Sequence, residues 1–190
     1  MHTVSLKEFI INGKFGTIQL GMKIDEVIKI LGEPTDKAIY DNGHAEIAYA
    51  WYEFFYEIKS GILHGIQNDH LSTFPNVKTK RVNNKKDICF QNDKFNIDIW
   101  FLKKNRYLTF NEVILNLDKE RVNYNIIEES QNEKIIKFAS GVLMDFNDLS
   151  FYCYLDALTG EYIYHEKIED NGEKILNGIR LFDDKLQNCH

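Results

Sequence analysis

Proline is nearly missing from this chain, at two in 190 residues, and cysteine is scarce at three. With 44% hydrophobic residues and no low-complexity tract, the composition excludes a disordered or collagen-like chain and predicts a folded globular one. Cys89, Cys153 and Cys189 are odd in number and widely spaced, which excludes a disulfide scaffold and a CxxC zinc pair. Cys89 and Cys153 fall in apolar strand-like runs and read as small core residues, while Cys189 lies in a polar tail. The longest apolar stretches, GTIQLGM and AYAWYEFFY, are far shorter than the roughly 20 residues that cross a bilayer. The start, MHTVSLKEFIINGKFG, has no basic segment followed by an apolar run and a cleavage site, so no secretory signal and a cytoplasmic address are expected. GxSxG, GxGxxG and GxxxxGK[ST] are all missing, which leaves hydrolase-elbow, dinucleotide and P-loop readings without local support.

The net charge of −6 is unevenly spread. Residues 1–77 carry six lysines and ten acids, 78–106 nine bases and three acids, and 141–184 three bases and ten acids. An acidic total argues against nucleic acid as partner, because displacing counterions from phosphates needs a positive field. The one basic region, Lys78, Lys80, Arg81, Lys85 and Lys86 followed by Lys103, Lys104 and Arg106, reads as solvated turns that keep sheet edges soluble.

Met22, Ile24, Val27, Ile28 and Leu31 recur near one face of a 3.6-residue repeat that stops at Gly32 and Pro34, which predicts a short amphipathic helix over 22–31. FGTIQL before it reads as a short strand or extended arm. After it, AEIAYAWYEFFYEI and ILHGIQ, turned at Lys59-Ser60-Gly61, read as a strand pair. The same order recurs 86 residues on. LTFNEVILNL at 108–117 repeats the helix pattern, with Glu-Val-Ile at both 26–28 and 112–114. VLMDF then echoes EFFYEI, and FYCYL echoes ILHGI. The fold class expected is α+β, made of two tandem helix-on-antiparallel-sheet units with the pattern of a duplication. A first unit spans 1–70, a basic connector 71–94, and a second unit with an added C-terminal hairpin 95–190. In the last, LTGEYIYHEKIED supplies a hairpin strand and GEKILNGIRLF a terminal helix or strand.

The run FGTIQLGMKIDEVIKILGEP, with Tyr49 and the aromatic strand after it, resembles the G-M-x-x-x-x-V-x-x-x-L-G-x-P pattern of BamE/SmpA-type modules and the related beta-lactamase-inhibitor-protein repeat. Gly21, Met22, Val27, Leu31, Gly32 and Pro34 carry the match over about 50 residues. In the second unit Leu117-Asp118-Lys119-Glu120 replaces the LGxP end. The resemblance implies a helical layer on an antiparallel sheet whose exposed face or loops bind another protein without catalysis. The same look occurs among small cytoplasmic proteins of bacterial toxin–immunity loci.

The aromatic strand sorts by alternation. Tyr52, Phe54 and Tyr56 form a purely aromatic row that fits a core, while Trp51, Glu53, Phe55 and Glu57 mix rings with charge and fit either an exposed face or a second row covered by a helix. Along a second candidate strand Glu161, Tyr162, Tyr164, His165 and Glu166 offer ring area and carboxylates that steer a basic partner. Among the six histidines only His64 and His70, with Asp69, lie close, at a spacing that is neither HExxH nor a Cys/His zinc pattern. Asp145 with Asp148, and Glu166 with Glu169 and Asp170, read as solvated acidic faces rather than acid–base pairs.

The expectation is a non-enzymatic, immunity-type module that binds and neutralises a basic protein partner, a toxin domain, through Trp51, Glu53, Glu57, Glu161, Tyr162, Tyr164 and Glu166, with no catalytic residue, metal or cofactor. The alternative is a small enzyme or ligand-binding protein using a carboxylate/histidine site between the units, around His64, Asp69, Tyr164 and His165.

Overall fold

The structure, a computed structural model, describes residues 2–49, 52–69, 71, 95–102, 108–130, 133–147, 152–155, 162–165 and 174–183. In chain order these form β1 (His2–Ser5), α1 (Leu6–Asn12), α2 (Ile24–Leu31), β2 (Asp36–Ile39), β3 (His44–Tyr49), β4 (Tyr52–Glu57), β5 (Leu63–Asn68), β6 (Phe95–Asp98), α3 (Phe110–Lys119), β7 (Asn125–Ser130), β8 (Glu133–Lys137), β9 (Leu143–Asn147), β10 (Tyr152–Leu155), β11 (Tyr162–His165) and β12 (Ile175–Phe182). Eight strands make one antiparallel sheet in the order β2-β3-β4-β5-β12-β9-β8-β7. β1 pairs β6 in parallel and β10 pairs β11 antiparallel. The fold is α+β and dominated by its sheet.

Each helix forms where the sequence supplies both an ending and an apolar stripe. In α2 the buried Ile24, Val27 and Leu31 lie on one face, the Glu26 carboxylate accepts the Lys23 N–H at 3.3 Å, and Gly32, at φ 90°, closes the end with its N–H on Ile28 O. α3 buries Phe110, Val113 and Leu117 at the same spacing behind a reciprocal cap, Thr109 Oγ1 to Glu112 N and Glu112 Oε2 to Thr109 N, both 3.2 Å. α1 was not anticipated, although its signals stand in the sequence: Ser5 Oγ accepts Glu8 N–H, and Gly13 ends the helix in the left-handed region at φ 68°. Its seven residues hold Leu6, Phe9 and Ile10, all buried, too short a stripe for periodicity to stand out.

The three helices share one core with one face of the sheet, through Ile47 and Tyr49 on β3, Tyr52 and Phe54 on β4, Leu63 and Ile66 on β5, Leu176 and Ile179 on β12, and Met144 and Phe146 on β9. The row Tyr52, Phe54, Tyr56 faces this core, as its composition predicts. Tyr49 buries its hydroxyl against Gly32 O, and desolvation, helped by Glu33, pushes its pKa up to about 12.

Two sequence expectations need correction. AEIAYAWYEFFYEI is not one strand: it divides into β3 and β4, antiparallel neighbours with Tyr49 opposite Tyr52. The turn lacks the Gly or Asn that ordinarily marks a hairpin, so the apolar run hid it. The second correction concerns the echo of ILHGI. Tyr152–Leu155 of the FYCYL run form β10, outside the eight-stranded sheet. The partner of β5 at the sheet centre is β12, where Ile175-Leu176-Asn177-Gly178-Ile179 repeats Ile62-Leu63-His64-Gly65-Ile66 in all but one residue. Of the two forms expected for GEKILNGIRLF, a helix or a strand, Ile175–Phe182 takes the strand, and it lies at the centre of the sheet.

Both inner strands also dock their helices identically. Leu63 N–H bonds Met22 O at 2.9 Å and Ile24 N–H bonds Gly61 O at 2.8 Å; Leu176 N–H bonds Leu108 O at 2.9 Å and Phe110 N–H bonds Lys174 O at 2.8 Å. Each inner strand carries a bulge at its Leu-X-Gly. β5 shifts register against β4 between Gly65, opposite Phe55, and Leu63, opposite Tyr56, and β12 shifts against β9 between Leu176 and Gly178. His64 and Asn177 are thus the inserted residues, which lets them re-aim their side chains.

Candidate functional site

Strand alternation sends the other half of these residues to the sheet face opposite the helices. Register aligns them in rows: Ala48, Glu53, Gln67 and Arg180; then Glu46, Phe55, Gly65 and Phe182; then His44 and Glu57. The middle row is built around a missing side chain. The Phe182 ring lies over Gly65, where a Cβ would fall 2.3 Å from a ring carbon, and packs on Phe55 with centroids 5.4 Å apart. Both rings are half-buried. Gly65→Ala should therefore push Phe182 off its seat and cost about 1–3 kcal/mol in a denaturant titration. In a Phe182→Ala background the same substitution should cost much less, and equal costs in both backgrounds would deny the ring its place.

Carboxylates surround the two rings. Gln67 Nε2 donates to Glu53 Oε2 at 2.7 Å, Tyr40 OH donates to Glu46 Oε2 at 2.6 Å, and Glu57 is exposed at the strand end. Desolvation pushes the Glu53 carboxyl up to about 7; the Gln67 bond pulls down, and the charges of Asp69 and Glu46 push up. The Tyr40 hydroxyl is raised by desolvation and by its bond to Glu46. Across the sheet Asn177 Nδ2 donates to Asp145 at 3.1 Å and Arg180 Nε stands 3.7 Å from the same carboxylate, so this cation is partnered within the sheet.

The bulge aims His64 across β4 to His44 on β3, whose Nδ1 is 2.9 Å from His64 Nε2, the rings edge to face. Sequence distance gave no sign of this pair, since twenty residues and a whole strand intervene. Burial lowers the His64 pKa, and the His44 charge lowers it further.

Of the residues the sequence singled out, Glu53 and Glu57 stand on this face. Trp51, Glu161 and Glu166 lie outside the described residues, and so do His70, Asp148, Glu169, Asp170, Cys89, Cys189 and most of the basic connector. Tyr162 and Tyr164 belong to β11, where Tyr164 is opposite Cys153 and His165 opposite Tyr152. His64 turns to His44, and Asp69 acts on Glu53. Phe55 and Phe182 supply the aromatic part of the face. The first was within the row that alternation marked; the second was missed because its strand pairing is non-local.

Among the described residues no three of His, Cys, Asp and Glu are grouped to hold a metal ion, and no described helix is long and apolar enough to cross a membrane. No protein-family model, curated protein or solved structure gives a significant match to this chain.

Proposed function

We propose that this chain is a protein-binding module of the immunity type, which docks and neutralises a basic partner such as a toxin domain on the open face of its sheet. The observation that carries the reading is the arrangement on β4 and its neighbours: Phe55 stacked with Phe182 over Gly65, flanked by Glu46, Glu53 and Glu57. Half-buried rings supply contact area and a carboxylate rim supplies steering and register, the division of labour usual at protein interfaces. Glu53 adds to this. A carboxyl held where desolvation opposes its charge gains most from an incoming cation.

The finer reading of the fold belongs with this function. The two runs α2-β2-β3-β4-β5 and α3-β7-β8-β9-β12 descend from one duplicated unit, supported by the ILHGI and ILNGI repeats, their shared bulge and the matched helix-docking bonds. A duplicated helix-on-sheet unit presenting an open antiparallel face is also what the resemblance to BamE-type and beta-lactamase-inhibitor repeats implies, as fold analogy only. The ligand-site alternative has one observation in its favour, the perturbed Glu53 and His64, but each side chain is already engaged, by Gln67 and by His44.

Affinity capture from the native host with tagged protein, read by mass spectrometry, tests the proposal. Wild type should retain one stoichiometric partner with a basic domain. Glu53→Lys with Glu57→Lys should weaken the isolated pair at least tenfold, about 1.4 kcal/mol. Undiminished binding by the double variant, or an acidic partner, would reject this face.

A further inference from the structure

The open face carries a second arrangement that docking alone does not use. His44 and His64 are hydrogen-bonded ring to ring, and His64 Nδ1 is buried without a hydrogen-bond partner. These two facts decide where the hydrogens sit. A neutral imidazole has one N–H. Were it on His64 Nδ1, a buried N–H donor would be left unmet, a rarer defect in folded proteins than an unmet acceptor. The hydrogen therefore belongs on His64 Nε2, which donates to His44 Nδ1, and His44 carries its own on Nε2. His64's carbonyl oxygen favours a proton on the ring electrostatically, but it makes no hydrogen bond with Nδ1 and already accepts the Asp183 N–H at 2.9 Å.

A closed pair of this kind can take another proton only by breaking the ring-to-ring bond or by leaving a buried Nδ1–H unmet. If His44 Nδ1 is protonated, two N–H groups face each other across the 2.9 Å gap. The bond survives only if the His64 hydrogen moves to the partnerless Nδ1. If His64 takes the proton directly, the same buried nitrogen must carry it beside a new charge. Proton uptake and separation of the rings are thus coupled. The charged groups acting on His64 are His44 on β3, Asp183 after β12 and Glu57 on β4, so an opened, protonated ring has carboxylates to turn toward. Glu57 also lies opposite His44 on the docking rim. A metal is the weaker reading of the two nitrogens, because no third donor is grouped with them among the described residues.

We infer that the His44–His64 pair is a proton-operated latch on the docking face, closed while both rings are neutral, and opened by proton uptake so that the face holds a basic partner less tightly in acid. The docking half rests on the function proposed above; the latch itself does not. The sign follows from burial: the folded state resists the proton more than the unfolded chain, whose histidine takes it near pH 6.5. The latch therefore stabilises the fold above about pH 6.5 and stops doing so as pH falls below it.

Long-range nitrogen–proton spectra of the imidazoles test the latch on wild-type protein without a partner. At pH 7.5 His64 should carry its hydrogen on Nε2, and the signals of both rings should change in a single transition on acidification. A hydrogen on Nδ1, or two independent titrations, would overturn the latch. His64→Gln retains an N–H donor that cannot titrate. It should flatten the loss of stability between pH 7.5 and 5.5, whereas an equal penalty at both pH values would mean a purely structural contact. For docking, an octalysine peptide is the probe, used in a Glu53→Gln background so that this carboxyl adds no pH dependence. Its affinity should fall roughly two- to fivefold from pH 7.5 to 5.5 with the histidines present and stay level in His64→Gln. An affinity unchanged by pH with both histidines present would overturn control of docking. Failure of the wild-type protein, with Glu53 intact, to bind the peptide at either pH would reject the docking reading, while the ring spectra would still decide the latch.

Discussion

Phe54→Ala should lower unfolding stability by about 3–5 kcal/mol, the largest single effect expected in this chain. Phe54 is fully buried at the middle of β4, edge-on to Phe15 at 5.4 Å and to Tyr49 at 5.7 Å, and its strand is paired on both sides, with Ile47 opposite on β3 and Ile66 on β5. Truncation removes the transfer gain of the ring and leaves a cavity walled by two hydrogen-bonded strands that cannot collapse into it. Phe55→Ala, one residue along and on the opposite face, provides the control. Half-buried against a single ring, it should cost about 1–2 kcal/mol while damaging the proposed partner binding far more than Phe54→Ala at equal folded fraction. Chemical denaturation of the two variants measures the difference. Equal costs would mean that the two faces of β4 have been assigned wrongly.

Glu53→Gln should stabilise the protein by an amount that grows as pH rises from about 4.5 to about 7 and then levels off. The folded-state pKa of about 7 lies above the ordinary carboxyl value of 4.5. The folded protein then binds the proton more tightly than the unfolded chain. Its contribution is fully present below about pH 4.5 and is lost as pH rises through about 7. At pH 8 wild type therefore carries a half-buried charge that the amide removes, a gain of about 1–2 kcal/mol after allowance for screening by solvent. Gln67 can still donate to the amide oxygen, so at pH 5 the two proteins should agree within about 0.5 kcal/mol. Urea titrations at both pH values read this out. A variant less stable at pH 8 would show that the ionised carboxylate is held by more than Gln67. A gain in stability combined with a loss of partner affinity is the signature of a residue kept for binding rather than for folding.

The helices and the facing of β4 were legible because they are local. Ile24, Val27 and Leu31 sit at helical spacing before Gly32, and an alternating row of three aromatics without a charge fits a core better than its mixed neighbour row does. Strand partnership was harder. A strand of alternating residues declares its faces but not its neighbours, and β12 finds β5 across more than a hundred residues. The signal is in the sequence, since Ile-Leu-X-Gly-Ile occurs in both inner strands, but it lies at an offset of 113 whereas the helices repeat at 86, so the two repeats do not reinforce each other. The site was half legible for the same reason. Glu53, Glu57 and Phe55 came from one strand's own alternation. Phe182, Gly65 and the two histidines come together only through cross-strand register and a bulge, which no local pattern encodes.

The sheet order has a consequence for how the chain is made. β2 to β5 and β7 to β9 are meanders that can form as each is synthesised, yet the strand that joins them, β12, is the last of the described strands to leave the ribosome. Until then β5 and β9 face water with unpaired backbone groups, and Leu63, Ile66, Met144 and Phe146 lack the side chains of β12 that complete their layer. Two sticky edges waiting for one late strand describe a nascent chain that leans on chaperones and fails abruptly on truncation. A stop codon before residue 175 should release two half-sheets that aggregate, rather than a slightly shortened protein.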